Sequence, residues 1–343
     1  MKTLSRTQRK GLPSVRGWLY IAAFLVFCTV IVGGATRLTG SGLSITEWNP
    51  LMGAIPPLTT ADWQTLFEKY KLIPEYSRVN AGMTLEEFKF IFWWEWSHRL
   101  LGRFIFGVAL FVPFVIFAAL GWISRAMWPR MIGIFILGGL QGALGWYMVA
   151  SGLADRVDVS QYLLSAHLTL ATLIFAAILW VAFGLDARRH RPATSRQRWA
   201  LYIAALVVLQ VAAGGFVAGL DAGMGYNTWP LMDGSLVPGG LFVMSPAWRN
   251  LFENALTVQF NHRLIAYLIV VVTLAYAYLQ RSREALIILL AVALQVAIGI
   301  YTLLAQVPLG WGLVHQGGAL IVLVAALWNL HTVLRQSPVP DRQ

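Results

Sequence analysis

The sequence predicts an all-α polytopic membrane protein, with eight transmembrane helices arranged as two pseudo-symmetric four-helix bundles. Three observations lead there. Hydrophobic residues fill 58% of the 343 positions and charged residues only 12%, about half of what a water-facing surface normally carries. Eight stretches are apolar enough, at about 20 residues each, to cross a bilayer. The second half of the chain also repeats the first, motif by motif. The net charge of +11 would suggest nucleic acid in a soluble chain. Here it reads as a topology signal, and no nucleic-acid partner is expected. The single cysteine, Cys28, excludes an intramolecular disulfide, a cysteine-ligated zinc site and an iron–sulfur cluster.

The apolar stretches run over roughly 17–36, 99–122, 131–151, 161–185, 199–220, 262–280, 284–305 and 311–334. The second and sixth are the weakest, because Arg103 and Arg263 sit beside their apolar runs. Spans one and two are joined by a long polar connection, 37–98, with Pro50, Pro56, Pro57 and Pro74 and an amphipathic stretch at 61–70. A second long connection, 221–261, joins spans five and six. Sorting Lys and Arg by side gives direction. One side collects the N-terminal Lys2, Arg6, Arg9, Lys10 and Arg16, then Arg125 and Arg130. It also collects Arg188, Arg189, Arg191, Arg196, Arg198, Arg281, Arg283, Arg335 and Arg342. That is sixteen basic residues against the acids Asp186, Glu284 and Asp341; the other side holds ten basic residues and twelve acids. Both termini are therefore expected in the cytoplasm and both long loops outside. The basic start reads as a topology signal rather than a cleaved leader.

The repeat is read from matched motifs. Gly33-Gly34 is echoed by Gly214-Gly215, and the Trp48–Gly53 run by Trp229–Gly234. Ser97-His98-Arg99-Leu100 is echoed by Asn261-His262-Arg263-Leu264, and Gln141, Gly145 and Tyr147 by Gln295, Gly299 and Tyr301. Four spans per half keep both halves in one orientation, so the repeat is parallel, about an axis along the membrane normal. The expected division is an N-terminal bundle at 1–185, a cytoplasmic linker at 186–198 and a C-terminal bundle at 199–343.

Four of the six histidines then fall at one depth. His98 and His262 open spans two and six; His167 and His315 lie a few residues into spans four and eight. All four spans run from outside to inside, so each bundle holds a pair in the outer part of the membrane. A lone membrane histidine is often a hydrogen-bonded packing residue, but polar groups in hydrocarbon are costly and tend to be functional. Zinc wants three or four ligands, and nothing supplies the remainder. Two facing imidazoles suffice for a haem iron. Arg99 and Arg263, beside the histidines, either pair with haem propionates or anchor a helix end. His190 and His331 are expected to be solvated or interfacial.

One difference separates the halves. Glu95 lies three residues before His98, on the same helix face, while Gln259 takes that place before His262. Glu95 could accept a proton, position water or stabilise a developing cation; alternatively it is a helix-start acid favoured by the macrodipole.

The Glu-x-x-His-Arg start of span two, the repeated histidines, the run Gly33–Ser44 and the run Glu47–Pro57 resemble haem A synthase. The resemblance covers about residues 15 to 334. It implies oxidation of the C8 methyl of haem O to a formyl group by successive hydroxylations, the gem-diol losing water to give haem A for terminal oxidases. It further implies that His98 and His167 flank the iron of the substrate haem O, with Arg99 in the substrate site. His262 and His315, with Arg263, would hold a haem b cofactor, and Glu95 would be the catalytic acid. The outer loops lack the cysteine pairs of some members, so the chain is similar to the cysteine-poor proteobacterial and mitochondrial-like branch, and a bacterial inner membrane is implied. A membrane cytochrome b that only moves electrons, and a haem carrier or transporter, are the alternative functions. The expected partners are membrane lipid, an electron-transfer partner whose identity is open, and a haem O synthase. The Gly215–Gly219 spacing permits close helix packing, within the chain or in a homo-oligomer. Whether the oxygen comes from water or dioxygen is left open.

Overall fold

The computed structural model describes residues 4–49, 52–185 and 195–335. Pro50 and Leu51 of the loop motif, residues 186–194 with His190, Asp186 and three of the linker arginines, and the terminal Lys2, Asp341 and Arg342 lie outside the described residues. Among the described residues there are thirteen α-helices and no strand, and eight helical segments are long and apolar enough to cross a membrane.

The spanning helices are α1 (Arg6–Leu38), α4 with α5 (Leu85–Phe104 and Phe111–Ala119), α6 (Trp128–Asp155) and α7 (Gln161–Gly184) in the first half. The second half contributes α8 (Ser195–Gly219), α11 (Ala255–Gln280), α12 (Arg283–Leu304) and α13 (Leu309–Arg335). Short helices decorate the two long loops: α2 (Thr60–Tyr70) and α3 (Pro74–Arg78) in the first, α9 (Ala222–Gly225) and α10 (Asn250–Glu253) in the second.

Helices α4 and α11 start well before their apolar runs, which moves two of the histidines inside a helix. The α4 helix begins at Leu85, capped by Thr84, whose side chain and Glu87 form a reciprocal capping box. Its first turns carry Glu86, Glu87 and Lys89 and so are too polar to read as a span, yet they pack. Trp63 meets Phe92 and Phe67 meets Phe88, with ring centroids 4.9 and 5.1 Å apart. This outer cap is a small core of its own, completed by Leu43, Tyr70, Ile73 and Ile91. In consequence His98 does not open its helix, and Glu95 sits almost three turns in. The reading of Glu95 as a helix-start acid is overturned; Glu86 and Glu87 fill that role. Likewise α11 starts at Ala255, capped by Asn254, so His262 lies inside it.

The second span is interrupted by a π-helical segment, Ile105–Leu110. Pro113, just beyond it, lacks an N–H and cannot serve the carbonyl of Ala109. The turn widens, and the indole of Trp18 on α1 donates to that carbonyl at 2.7 Å. The corresponding α11 is one uninterrupted α-helix.

Helices α1, α7, α8 and α13 pack on one another at the centre and hold most of the buried apolar core. Along the seam α8 approaches α7 closely: a Cβ on Gly215 or Gly219 would come within 2.7 and 2.6 Å of Ser165 and Gln161 main chain. The small-residue spacing thus serves a helix of the same chain. Ser165 adds a hydrogen bond to the carbonyl of Ala212 at 2.7 Å. On the outer side Arg37 donates to Ala218 O and pairs with Asp221 at 2.8 Å, tying the halves together. His331 is not solvated. It is 3% exposed, because the inner end of α13 turns it onto Trp180 and Phe183 of α7.

Candidate functional site

The first pair of histidines is brought together by α4 and α7. The rings of His98 and His167 lie with centroids 6.4 Å apart and planes at 71°. Each ring rests its Cε1 edge on a glycine of a neighbouring helix. A Cβ on Gly33 of α1 would stand 2.7 Å from His98, and one on Gly145 of α6 would stand 2.9 Å from His167. The second half repeats the arrangement. His262 of α11 rests on Gly214 of α8 and His315 of α13 on Gly299 of α12, with hypothetical Cβ distances of 3.2 and 2.7 Å.

One turn before three of those glycines stands a glutamine. Gln141 donates through Nε2 to the carbonyl of His167 at 3.1 Å and meets its ring at 3.2 Å. Gln210 does the same for His262, at 3.1 Å to both. Gln295 reaches the carbonyl of His315 at 2.7 Å and its ring at 3.1 Å. The sequence reading singled out Gln141 and Gln295 but missed Gln210. The signal was available: Gln-x-x-x-Gly occurs at 141–145, 210–214 and 295–299.

Beside each pair an i, i+4 couple latches the outer loop. Glu95, 2% exposed, accepts from the Ser44 hydroxyl and the Ile45 N–H, both at 2.7 Å, and pairs with Arg99 at 2.5 Å. Arg99 donates onward to the carbonyls of Ile45 and Glu47. In the second half Gln259 donates to Ala222 O and Tyr226 O, and Arg263 donates to Gln259 Oε1 and Tyr226 O. Ile45 and Tyr226 hold equivalent places in the repeat, so one latch is built twice, once with a carboxylate and once with an amide. Neither arginine anchors a helix end. Arg99 is engaged with the loop, while Nε and Nη1 of Arg263 are buried without a partner.

A second buried acid lies outside the membrane-spanning segments, in the outer cap. Glu75, 5% exposed, accepts from the Tyr70 hydroxyl at 3.2 Å, and Asn80 donates to that same hydroxyl at 2.7 Å. Burial, with the charges of Glu95 and Asp158 added, raises its pKa to about 7. Burial also raises the pKa of Tyr70.

The donor sets suit a flat iron chelate held from both faces. An imidazole nitrogen bonds a metal at about 2 Å, so two rings sharing one iron keep their centroids about 6 Å apart, and the first pair stands at 6.4 Å. Nδ1 of His98, His167 and His262 and Oε1 of Gln141, Gln210 and Gln295 are buried without partners. The free donors of Arg263 suit a carboxylate such as a propionate. Among the described residues no three His, Cys, Asp or Glu converge to hold a metal ion, which leaves each site to two imidazoles.

Fold and site together define an eight-span membrane protein with two paired-imidazole sites, one of them overlooked by a buried carboxylate. A family model described as cytochrome oxidase assembly protein matches residues 16–327, and the chain belongs to that family. It is similar to proteins named Heme A synthase. That of Mesorhizobium japonicum is 53% identical over 327 residues, which cover 92% of this chain and 90% of that protein. That of Azorhizobium caulinodans is 54% identical over 325 residues, 92% of each. That of Rhizobium meliloti is 51% identical over 337 residues, 95% of this chain and 91% of that protein.

Proposed function

We propose that the chain is a haem A synthase, a membrane oxidoreductase that converts the C8 methyl of haem O to a formyl group for terminal oxidases. The observation that carries the reading is a substitution in a repeated site: Glu95 where the second half has Gln259. The first bundle, 1–185, takes the substrate, with His98 and His167 toward its iron and Arg99 holding the outer loop over it. The second, 199–343, takes haem b between His262 and His315, with Arg263 toward a propionate. Bound haem supplies the redox chemistry, exchanging electrons with a partner whose identity the reading does not specify. The chain's own work is to hold, shield and move protons. The glycine seats set the rings, the outer cap keeps bulk water off Glu95, and the Glu95 carboxylate is the base for protons leaving the reacting carbon. A proton on Oε2 exchanges through the Ser44 hydroxyl, its 2.7 Å neighbour. The membrane would be a bacterial inner membrane, and the excess of Lys and Arg on one side supports both termini being cytoplasmic. A contact with a haem O synthase would deliver the substrate.

Co-expression with a haem O source and mass analysis of extracted haem tests this. Haem A is expected from the intact chain, and haem O or a partly oxidised product from Glu95→Gln, with haem still bound. Two unmodified haems of one type would make the protein an electron-carrying cytochrome b; haem movement without a change of mass would make it a carrier.

A further inference from the structure

The four histidine seats share a glycine but not a clamp. Counting one turn back from Gly33, as the repeat requires, leads to Thr29 in place of a glutamine. Its hydroxyl is spent on the carbonyl of Leu25 at 2.9 Å. Among the described residues no side-chain amide meets the His98 ring, and the polar group beside it is the main-chain carbonyl of Thr29. That carbonyl lies mid-helix, where it also accepts the N–H four residues on.

We propose that His98 is the exchangeable axial ligand of the first site and His167 the permanent one. Gln141, Gln210 and Gln295 would be the positioning residues that make the other three ligands permanent. This rests on the haem-binding reading above. The physical reason lies in how an amide holds a ring. Its Nε2 grips the histidine's own carbonyl, so the amide cannot drift from the residue it positions, and the same group contacts the ring. Turning such a ring away from its iron breaks a side-chain contact made for it. Turning His98 breaks only a share in a carbonyl already used by the helix.

The backbone supplies an independent observation. Between His98 and the inner end of its span lies the π-helical segment at 105–110, set by Pro113, and π-turns inside helices collect at functional sites. The helix of His262 has none, and neither do those of His167 and His315. The ring without an amide is therefore on the helix with the loosened ladder. An exchangeable ligand on the substrate iron is what a site needs if a small molecule is to reach that iron.

Carbon monoxide is the probe, because it binds ferrous haem only where a ligand leaves. Holoprotein from cells with a haem O source is reduced, haem per chain is counted as the pyridine haemochrome, and carbon monoxide binding is followed by stopped-flow absorbance. One reactive haem of two is expected. Thr29→Gln is expected to slow that phase at least tenfold with both haems retained. Gln210→Thr is expected to make the second haem reactive. A wild-type rate in Thr29→Gln, or no reactive haem in the native chain, overturns the proposal. Should Thr29→Gln not fold, Gln210→Thr decides, and a second haem that stays closed overturns it. A native chain that carries no paired haems removes the haem-binding reading itself, and this proposal with it.

Discussion

The two latches of this molecule share one backbone place, Ile45 in the first half and Tyr226 in the second, and differ by one charge. Glu95 and Arg99 hold Ser44, Ile45 and Glu47 by a buried ion pair; Gln259 and Arg263 hold Ala222 and Tyr226 by neutral amide contacts. The loop is fastened either way, so fastening cannot be what the carboxylate is for. A buried ion pair is a poor means of gaining stability, since desolvation offsets most of its attraction. An amide does the same mechanical work in the second half. The difference therefore marks chemistry in the first.

The sharpest way to break this comparison is to exchange the two side chains. Glu95→Gln copies the second latch into the first, and haem A formation is expected to fall by about 100-fold or more with haem content unchanged. Gln259→Glu should change product formation by less than about threefold. Equal losses from both would make the pair structural.

The next largest effect is on stability. Arg99→Leu leaves a buried carboxylate without its partner and should cost about 3–5 kcal/mol. Arg263→Leu leaves only a neutral amide and should cost about 1 kcal/mol. Denaturation midpoints in detergent would show the two falling unequally. Smaller again are the seats. A methyl at Gly33 meets His98 at 2.7 Å, while one at Gly214 meets His262 at 3.2 Å. Gly33→Ala should thus cost about 1–3 kcal/mol of packing and lower haem occupancy of the first site more than Gly214→Ala lowers that of the second.

The last comparison is pH-dependent and concerns the cap, which the second half lacks in this form. Glu75 ionises near 7 when folded, against an ordinary 4.5. Its raised pKa means that the folded chain holds a proton the unfolded chain has lost. Stability from this group is fully present below about pH 4.5, declines as pH rises to about 7 and is flat beyond, a change of about 3 kcal/mol. Glu75→Gln should remove that slope in protease-protection assays of the outer loop across pH 5 to 8. An unchanged slope would assign it to another group.

Much of this was legible in the residues. Eight apolar runs, four histidines at matched depth and the Glu95/Gln259 difference are local patterns, and the sequence shows them directly. What stayed hidden depends on contacts between distant segments. Hydropathy placed the second span's start at 99 because Glu86, Glu87 and Lys89 dilute the average. Only packing of Phe88 and Phe92 on Trp63 and Phe67 explains a helix from Leu85. Ser44 and Ile45 meet Glu95 across some fifty residues, and no spacing rule predicts that. His331 was misplaced because depth along a helix says nothing about which side faces a neighbour. Gln210 was overlooked for a different reason: the repeat was matched span by span, whereas the pattern that matters is one turn of helix behind each histidine's glycine.

The seam between α7 and α8 has a consequence for how such a protein can evolve. Ser165 is two residues from His167, and Ala212, whose carbonyl it bonds, lies between Gln210 and Gly214, the clamp and seat of His262. The wall of one chamber is thus the back of the other. Duplication ordinarily frees two copies to drift apart, each tuned without regard to its twin. Here a change that tilts one copy's ligand helix would reach the other copy's socket a few ångströms away, which couples the two halves along this seam and leaves positions that face away from it freer to differ. Glu95, turned toward the loop and away from the α7–α8 seam, is at such a position.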